Sequence, residues 1–440
     1  MNTDDNLRGF LYMNFLSIIF VLPLLFVSLC ISAMERILGA VNQHPAIIEQ
    51  QNAIASVRAR VLERSVASSP KVSFSTTGKV PFLKNIDRNK DRLDEDKRTY
   101  LDGNLIFSKP LFDGGRRESL VNAERFREKA ELIRLNVTYA ARFYELLNYA
   151  LDGLRSEARL ASLLTTINML SESQEEVRRR FEMGAGTLID VRRLELAALD
   201  LETEELKLKK QLALSSRSLK DAFDLNLDDI RLEISDFIKK IPDPNVMEFD
   251  GLSLLTPQVF YQEQAALKAE RASIMAERRP EVNLTLNTTL YDVTTQPFSE
   301  YEVYGGISLE QPVFDGGARE ARVNGLDIAM IMEGDKADVF INERRLEWRA
   351  TEMVLSEYRS DEIQEVKRQE NLSKAIDSLK KRFATIDPNL VELTETNLEL
   401  AQSKRRSEEI IWGMRALAFQ RADISGRLLD YLDIPFPANR

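Results

Sequence analysis

The sequence has very little of the chemistry that enzymes and metal proteins use. Its 440 residues include one cysteine, Cys30, and one histidine, His44. One cysteine cannot form a disulfide within the chain, and one of each leaves too few ligands for a Cys/His metal site. There is also no glycine-rich phosphate loop. The sequence therefore predicts a protein that is not an enzyme and holds no cofactor, with His44 as a structural residue near a helix start.

Glycine and proline are also scarce. The chain has 18 Gly and 14 Pro, whereas charged residues make up 30% of it. Few helix breakers and many charged residues favour long helices. The net charge is −10, and no basic cluster offsets it, which argues against a nucleic-acid partner.

One long apolar stretch covers residues 9–33. Pro23 and the pair Ser32-Ala33 favour a cleavable signal peptide over residues 1–33. The start carries Asp4 and Asp5 with only Arg8 as a positive charge, which is unusual for a signal peptide, so an uncleaved membrane anchor stays an alternative. Lipidation at Cys30 is a third reading, although Leu29 fits poorly before a lipidated cysteine.

The remaining chain is organised by a duplication. The segment Pro110-Leu111-Phe112-Asp113-Gly114-Gly115 returns 202 residues later as Pro312-Val313-Phe314-Asp315-Gly316-Gly317. The same offset relates Arg180 to Arg382 and Asp190 to Glu392. A chance match would not stay in register so far along the chain. We predict two structural repeats, residues 34–223 and 251–433, joined by a linker over 224–250 and followed by a tail over 434–440.

Each repeat follows the same order of elements. A helix leads into two strands with period-two alternation, separated in the first repeat by a charged loop over residues 84–98. The proline of the duplicated motif is expected to end strand pairing, and its aspartate to accept free amides at a helix start. A tract of about 68 residues follows, which as a helix would be roughly 100 Å long. Two shorter helices together match that length, as in the wall of a tube.

The strands suggest a membrane. Four strands of about ten residues match the length of a transmembrane β-strand, and their alternation suits a lipid face and a wet lumen. Four strands cannot close a membrane barrel, so several chains would have to share one. The alternative is a periplasmic coiled-coil structural or adaptor protein, without a pore, that carries a small soluble sheet.

The duplicated turn, the strands before it and the tract Arg180-Phe-x-x-Gly-x-Gly-Thr-Leu-x-Asp-Val191 resemble the TolC family of outer-membrane efflux proteins. The resemblance covers essentially the whole mature chain. It implies a mainly α fold in which a long α-helical coiled-coil barrel joins a β-barrel shared between subunits, with four strands per chain and twelve in a homotrimer.

The same resemblance implies a place and partners for the protein. The channel would lie in lipid of the outer membrane of a Gram-negative bacterium, with its helical tunnel in the periplasm. It would work with a periplasmic adaptor (membrane fusion) protein and an inner-membrane ABC or proton-driven transporter, in type I secretion or in efflux. The sequence leaves the cargo open between proteins and small molecules.

In the family, the helix–helix turns close the periplasmic end; here they are residues 183–190 and 384–392. Gate or selectivity positions carried over by the resemblance are Phe383, Asp190, Glu392 and, one helical turn further, Glu395. The adaptor-docking tip carried over in the same way is Gly184, Ala185, Gly186, Thr187 and Leu188. Two departures are Pro388, where some members have an arginine of the closing network, and Phe383, where a tyrosine is often found. Closure of the second turn is therefore expected to depend on helix packing.

Overall fold

A computed structural model of the protein describes residues 34–79, 100–291, 293, 300–383 and 390–437. The predicted signal peptide with Cys30, the charged loop over 84–98 and most of the second helix–helix turn lie outside these residues. Within them the chain is mainly helical with one β-sheet. No helix among them has an apolar stretch long enough to cross a membrane, and no group of acidic, His or Cys side chains among them is arranged to hold a metal.

The elements follow the order that the sequence predicts. The helices are α1 (34–43), α2 (Pro45–Val66), α3 (Arg116–Glu182), α4 (Leu188–Phe223), α5 (Leu227–Lys240), α6 (Leu255–Ala276), α7 (Ala318–Phe383), α8 (Leu390–Ile424) and α9 (Leu428–Tyr431). The strands are β1 (Lys71–Lys79), β2 (Tyr100–Phe112), β3 (Glu281–Leu290) and β4 (Tyr301–Glu310).

Two compact units emerge from the contacts. The helical unit comprises the described residues of Met1–Gln51, Arg134–Leu255 and Phe340–Arg440, and the sheet unit comprises the described residues of Asn52–Ile133 and Thr256–Val339. Each unit takes segments from both predicted repeats. The helices α3 and α7 each contribute residues to both units. A compact unit therefore does not correspond to one repeat.

The sheet unit contains one antiparallel sheet in the order β1-β2-β3-β4. Two hairpins, β1–β2 and β3–β4, are joined by pairing between β2 and β3. This central pairing links residues almost two hundred positions apart, so it joins the two repeats.

The helical unit contains a helix that the sequence analysis missed. The segment treated as a linker, 224–250, holds α5, which buries Leu227, Ile230, Ile234 and Phe237. Phe237 meets Phe143 of α3 edge to face, with ring centroids 5.9 Å apart. The spacing of three and four between these apolar residues is typical of an amphipathic helix and was the available signal.

His44 lies at the start of α2, as predicted. Its Nδ1 accepts a hydrogen bond from the Ala46 amide at 3.2 Å, and its ring packs against Phe223 with centroids 5.4 Å apart. Burial lowers the pKa of His44, and the nearby positive charge of Arg142 lowers it further. A neutral ring that accepts a hydrogen bond supports the helix start.

Candidate membrane sheet and helix-turn sites

The duplicated motif forms the same strand-to-helix turn twice. In the first copy the Asp113 carboxylate accepts hydrogen bonds from the amides of Gly115, at 3.1 Å, and Arg117, at 2.8 Å. In the second copy Asp315 accepts both equivalent bonds, each at 3.1 Å. The expectation that this aspartate satisfies free amides at a helix start is confirmed in both repeats.

Both turns require glycine. The φ angles of Gly114 and Gly115 are +69° and +88°, and those of Gly316 and Gly317 are +66° and +87°. Residues with a Cβ rarely adopt this left-handed region, whereas glycine does so at little cost. Arg279 also packs against the first turn and donates a hydrogen bond from Nη1 to the Gly114 carbonyl at 2.6 Å.

The proline of the motif behaves differently in the two copies. Pro110 was expected to end strand pairing, and this is wrong for β2: pairing continues to Phe112, opposite Val282, after a register shift. The shift lets the strand pass the residue that has no N–H to donate. In the second copy the expectation holds within the described chain, because β4 ends at Glu310, before Pro312.

One face of the sheet is apolar. Side chains alternate between the two faces of a strand, and the register assigns each position to a face. The apolar face carries Val72, Phe74, Leu101, Leu105, Phe107, Val282, Leu284, Leu286, Leu290, Tyr301, Val303, Ile307 and Leu309. Thr76, Thr288 and Lys109 also lie on this face. Its side chains reach solvent in the single chain: Ile307 is 69% exposed and Leu309 is 68% exposed.

The opposite face is mostly polar. It carries Ser73, Ser75, Thr77, Asp102, Asn104, Ser108, Asn283, Thr285, Asn287, Thr289, Glu302, Ser308 and Glu310. Ile106 and Tyr304 are its larger apolar or aromatic members. Polar side chains bond to one another across this face, as in the 3.0 Å hydrogen bond from Thr289 to Asn104.

Both edges of the sheet are unpaired among the described strands. β1 and β4 each have a neighbour on one side only. Such edges present rows of free backbone donors and acceptors. The sheet is therefore amphipathic and incomplete.

The first helix–helix turn is built on Gly184. The φ of Gly184 is +75°. The amides of Gly184 and Ala185 donate to the carbonyls of Phe181, at 3.0 Å, and Arg180, at 2.8 Å, which is the Schellman ending of a helix. Around this turn the side chains of Met183, Leu188 and Ile189 are exposed. We call these three residues the tip patch.

Asp190 holds the start of α4. The Thr187 Oγ1 accepts from the Asp190 amide, and the Thr187 amide donates to Asp190 Oδ2, both at 3.2 Å. The two residues form a capping box, in which each side chain satisfies the backbone of the other. The Asp190 carboxylate therefore has a defined orientation at a helix N-terminus.

The structure brings the starts of α4 and α8 together. Val391 of α8 is buried in one apolar cluster with Leu194 of α4 and Leu170 and Val177 of α3. Val191, which follows Asp190, and Leu390, two residues before Glu392, pack against the same cluster. Asp190 and Glu392 are therefore next to residues of one shared core.

The acidic positions of α8 have different surroundings from Asp190. Glu392 pairs with Arg382 of α7, with Oε2 3.1 Å from Nη2. This pair is a polar link across the second turn that the sequence analysis did not predict. Glu395 is exposed. Phe383 is the last residue of α7, and residues 384–389, including Pro388, lie outside the described chain.

Polar contacts, one of them made by a buried arginine, join the helices of the helical unit. Arg405 of α8 is 7% exposed and donates from Nη1 to Thr166 Oγ1 of α3 at 2.9 Å. Its Nη2 lies 3.6 Å from Glu204 of α4. On α7, Gln369 donates to Ser407 Oγ of α8 at 2.7 Å. These residues could not be recognised from the sequence, because their spacing does not differ from that of solvent-exposed polar positions.

No family model matches the sequence, and no curated protein matches it. The structure does match solved structures. The outer membrane protein VceC of Vibrio cholerae superimposes with a TM-score of 0.71 at 13% identity, covering 92% of this chain and 97% of VceC. The CmeC outer membrane channel of Campylobacter jejuni gives a TM-score of 0.68 at 12% identity, covering 90% of this chain and 86% of CmeC.

The open state of the MtrE outer membrane channel of Neisseria gonorrhoeae gives 0.64 at 12% identity, with 90% of this chain and 89% of MtrE covered. Identities this low establish the fold. The chain has the fold of these outer-membrane channel proteins, which is the fold that its resemblance to the TolC family predicts.

Proposed function

We propose that this protein is the outer-membrane channel of a tripartite export system in a Gram-negative bacterium. Three copies would contribute four strands each to one twelve-stranded barrel, and the helical unit of each copy would line a periplasmic tunnel. A periplasmic adaptor protein and an inner-membrane ABC or proton-driven transporter would deliver the cargo and supply the energy, in type I secretion or in efflux. The observation that carries the proposal is the amphipathic sheet with two unpaired edges.

The faces of this sheet suit a membrane wall. In lipid, only the side chains of the outward face contact hydrocarbon, and the inward face lines a wet lumen. The exposed apolar face would be costly in water, at about 25 cal/mol for each Å² that stays hydrated. Against lipid this cost disappears, while residues such as Ser75 and Asn104 remain hydrated in the lumen.

The two unpaired edges of the sheet imply that several copies of the chain share one barrel. Each free backbone group in hydrocarbon costs several kcal/mol, so an open four-stranded sheet is not a viable membrane structure. Bacterial membrane barrels begin at about eight strands. Three copies give twelve strands and remove every edge, as the family resemblance implies.

The acidic positions near the turns are our candidates for the selectivity filter. Threefold repetition would concentrate the charges of Asp190, Glu392 and Glu395 into rings, which attract cations. The capping box orients the Asp190 carboxylate, and Arg382 partly neutralises Glu392 in the described conformation. Glu395, which is exposed and outside both arrangements, is the candidate with the least competing role. Phe383, at the end of α7, is the candidate for a steric part of the gate.

The tip around Gly184, Ala185, Gly186, Thr187 and Leu188 is our candidate site for adaptor docking. The small residues allow another helix to approach closely, and the exposed tip patch offers apolar area to such a partner. Apart from its two chain neighbours, no described residue has an atom within 4 Å of the position that a Cβ on Gly184 would take, so this side of the turn is open.

Single-channel recording in a planar bilayer tests this proposal. We expect small cation-selective openings from the wild type, and reduced selectivity from the double variant Asp190→Ala/Glu392→Ala. Because Asp190 also caps α4, the matched control is Thr187→Ala, which breaks the capping box and keeps the charge. If Thr187→Ala also lost cation selectivity, the assignment of Asp190 to the selectivity filter would be contradicted. The effect would then be due to the broken capping box at the start of α4.

Glu395→Gln is a second test of the filter. It removes a negative charge without removing a described contact, so a fall in cation selectivity would be due to the charge alone. The absence of any openings, from protein shown to be folded and trimeric, would favour the coiled-coil alternative without a pore.

A further inference from the structure

The sheet unit contains a pocket of about 490 Å³ beside one end of the sheet. Its wall is formed by the C-terminal ends of α2 and α6, the N-terminal end of α3 and one residue of α7, Leu326. Arg116 and Arg117 in this wall both bond to Glu281, the first residue of β3, so the pocket adjoins the end of a strand. Its volume is within the range of clefts that hold small molecules or parts of larger ones, about 300–1,000 Å³.

Three arginines make part of the pocket wall basic. Nη2 of Arg116 lies 3.2 Å from one oxygen of the Glu281 carboxylate, and Nη2 of Arg117 lies 2.9 Å from the other. Arg117 also has Asp113 at 3.8 Å. The third arginine, Arg64 in the last turn of α2, is exposed and forms no ion pair with any residue that the structure describes. Three guanidinium groups therefore share two carboxylates.

The two acidic residues in the same wall do not offset this charge, because each is paired elsewhere. Glu270 accepts a hydrogen bond from Nη2 of Arg127. Glu277 lies with its Oε2 2.7 Å from Nη2 of Arg322. The pocket arginines therefore keep an excess of positive charge in the described conformation, and such a concave basic surface attracts an anion.

The rest of the wall is mostly apolar. It includes Leu120, Ile274 and Leu326. Ser273, which is 5% exposed, donates its hydroxyl to the Glu270 carbonyl at 2.7 Å and is thereby satisfied. An ion such as free phosphate would leave the apolar side chains in water. The wall fits a ligand that joins an anionic group to an apolar chain.

The basic part of the wall belongs to one repeat only. Helices α2 and α6 each have 22 residues, so that Arg64 of α2 aligns with Ile274 of α6. At the offset of 202 that relates the duplicated turns, Arg116 aligns with Ala318. The second repeat forms the same turn and ends the same helix without these two charges. The local fold therefore does not require them, and they are available for a ligand.

We propose that this pocket binds an anionic phospholipid, with the phosphate at Arg64, Arg116 and Arg117 and the adjoining part of an acyl chain against the apolar part of the wall. The source of the ligand rests on the proposed function: with the sheet in the outer membrane, the helix ends of the sheet unit lie where the leaflet that faces the periplasm carries its headgroups. The planar fork of an arginine side chain matches the oxygens of a phosphate, and basic pockets at a membrane surface bind anionic headgroups.

Lipid titrations followed by native mass spectrometry test the proposal on the full chain in detergent. The probe is dioleoylphosphatidylglycerol. Dioleoylphosphatidylcholine, with the same chains and a neutral headgroup, and inorganic phosphate, with no chains, are the comparison ligands. We expect wild-type protein to retain one phosphatidylglycerol per copy, and to bind each comparison ligand at least about tenfold more weakly.

Arg64 is the residue to change, because it is exposed and its removal breaks no described ion pair. Arg64→Gln should weaken phosphatidylglycerol binding by about tenfold or more. Arg64→Lys, which keeps the charge without the planar fork, should bind with an intermediate affinity. The matched control is Arg278→Gln. Arg278 is an exposed arginine of the same unit, outside the pocket wall and without an ion pair among the described residues, so this change should leave binding as in the wild type.

Wild-type affinity in Arg64→Gln, or an equal loss in Arg64→Gln and Arg278→Gln, would overturn the assignment of the pocket. Equal binding of the two phospholipids would do the same. Displacement of phosphatidylglycerol by inorganic phosphate at similar concentrations would show a site for free anions and contradict the lipid.

Two further outcomes separate the pocket from the proposed function. Protein that opens channels but retains no phosphatidylglycerol would contradict the lipid site and leave the channel intact. Retention that depends on Arg64, by folded protein that forms no channels, would support the lipid site and contradict the proposed function.

Discussion

Asp423 provides a sharp test of the packing between α7 and α8. Its Oδ2 lies 3.7 Å from Nη1 of Arg344, and its side chain is 20% exposed. Burial raises the pKa of the Asp423 carboxyl from an ordinary value of 3.8 to about 6; Arg344 opposes the rise, and Glu347 adds to it. The folded protein therefore holds this proton more tightly than the unfolded chain does.

The sign of the pH dependence follows from this difference. Between about pH 4 and pH 6 the unfolded state has already released the proton while the folded state still binds it. The free energy of unfolding therefore falls as the pH rises through this window, and it levels off above pH 6. At about 1.4 kcal/mol for each pH unit between the two pKa values, the charged carboxylate costs the folded state roughly 3 kcal/mol at neutral pH.

The change to make is Asp423→Asn, which keeps the shape and removes the titration. Arg344 retains its contact with Glu347, at 2.9 Å, so the variant does not leave an isolated buried charge. We expect the difference in unfolding free energy between variant and wild type to shift in favour of the variant by about 3 kcal/mol between pH 4 and pH 7.

Urea unfolding followed by circular dichroism at 222 nm, at a constant protein concentration, measures this difference. Glu347→Gln is the matched control, because it removes a neighbouring negative charge that raises the Asp423 pKa. It should narrow the pH range over which the unfolding free energy falls, without abolishing the fall. Parallel pH profiles of wild type and Asp423→Asn would refute the assignment, because they would mean that the carboxylate is as well solvated in the folded protein as in the unfolded chain.

Two further predictions concern helices. Gly413→Ala should lower the free energy of unfolding by about 1–3 kcal/mol, because a Cβ there would lie 2.6 Å from Cζ of Tyr358. Gly325→Ala, with no described atom within 4 Å of its Cβ position, should instead raise it by about 0.5–1 kcal/mol; equal urea midpoints for the two variants would contradict this packing. Thr187→Ala should weaken the start of α4 by about 0.5–2 kcal/mol, seen as faster hydrogen exchange at the Asp190 amide; unchanged exchange would mean that the capping box does not form in solution.

Local rules account for what could be predicted from the sequence. The turn at Asp113 needs a carboxylate, two glycines and a following helix, all within a few residues, so that its duplicate at Asp315 could be recognised without coordinates. The alternation of Val72 and Phe74 with serines likewise assigns faces before any partner strand is known. The lengths of α3 and α7 follow from the absence of proline between Arg116 and Glu182 and between Ala318 and Phe383, where glycine occurs only at 153, 325 and 334.

The candidate sites show the limit of such rules. Asp190 and Glu392 are equivalent by the duplication, yet the first closes a capping box while the second pairs with Arg382. The difference depends on which side chains each turn places next to the carboxylate, and the spacing of residues in the sequence does not specify those neighbours. The ion pair between Arg382 and Glu392 was therefore not anticipated.

By itself the sequence determined the duplication, the order of the elements, the strand-to-helix turns and the two faces of each strand, because all of these depend on residues close together in the chain. Only the tertiary structure decided that β2 pairs with β3, that the start of α8 shares a core with α4, and that Arg405 is buried against Thr166. Those contacts join residues up to 239 positions apart. Their energies depend on which side chains meet in space, and local patterns do not encode that.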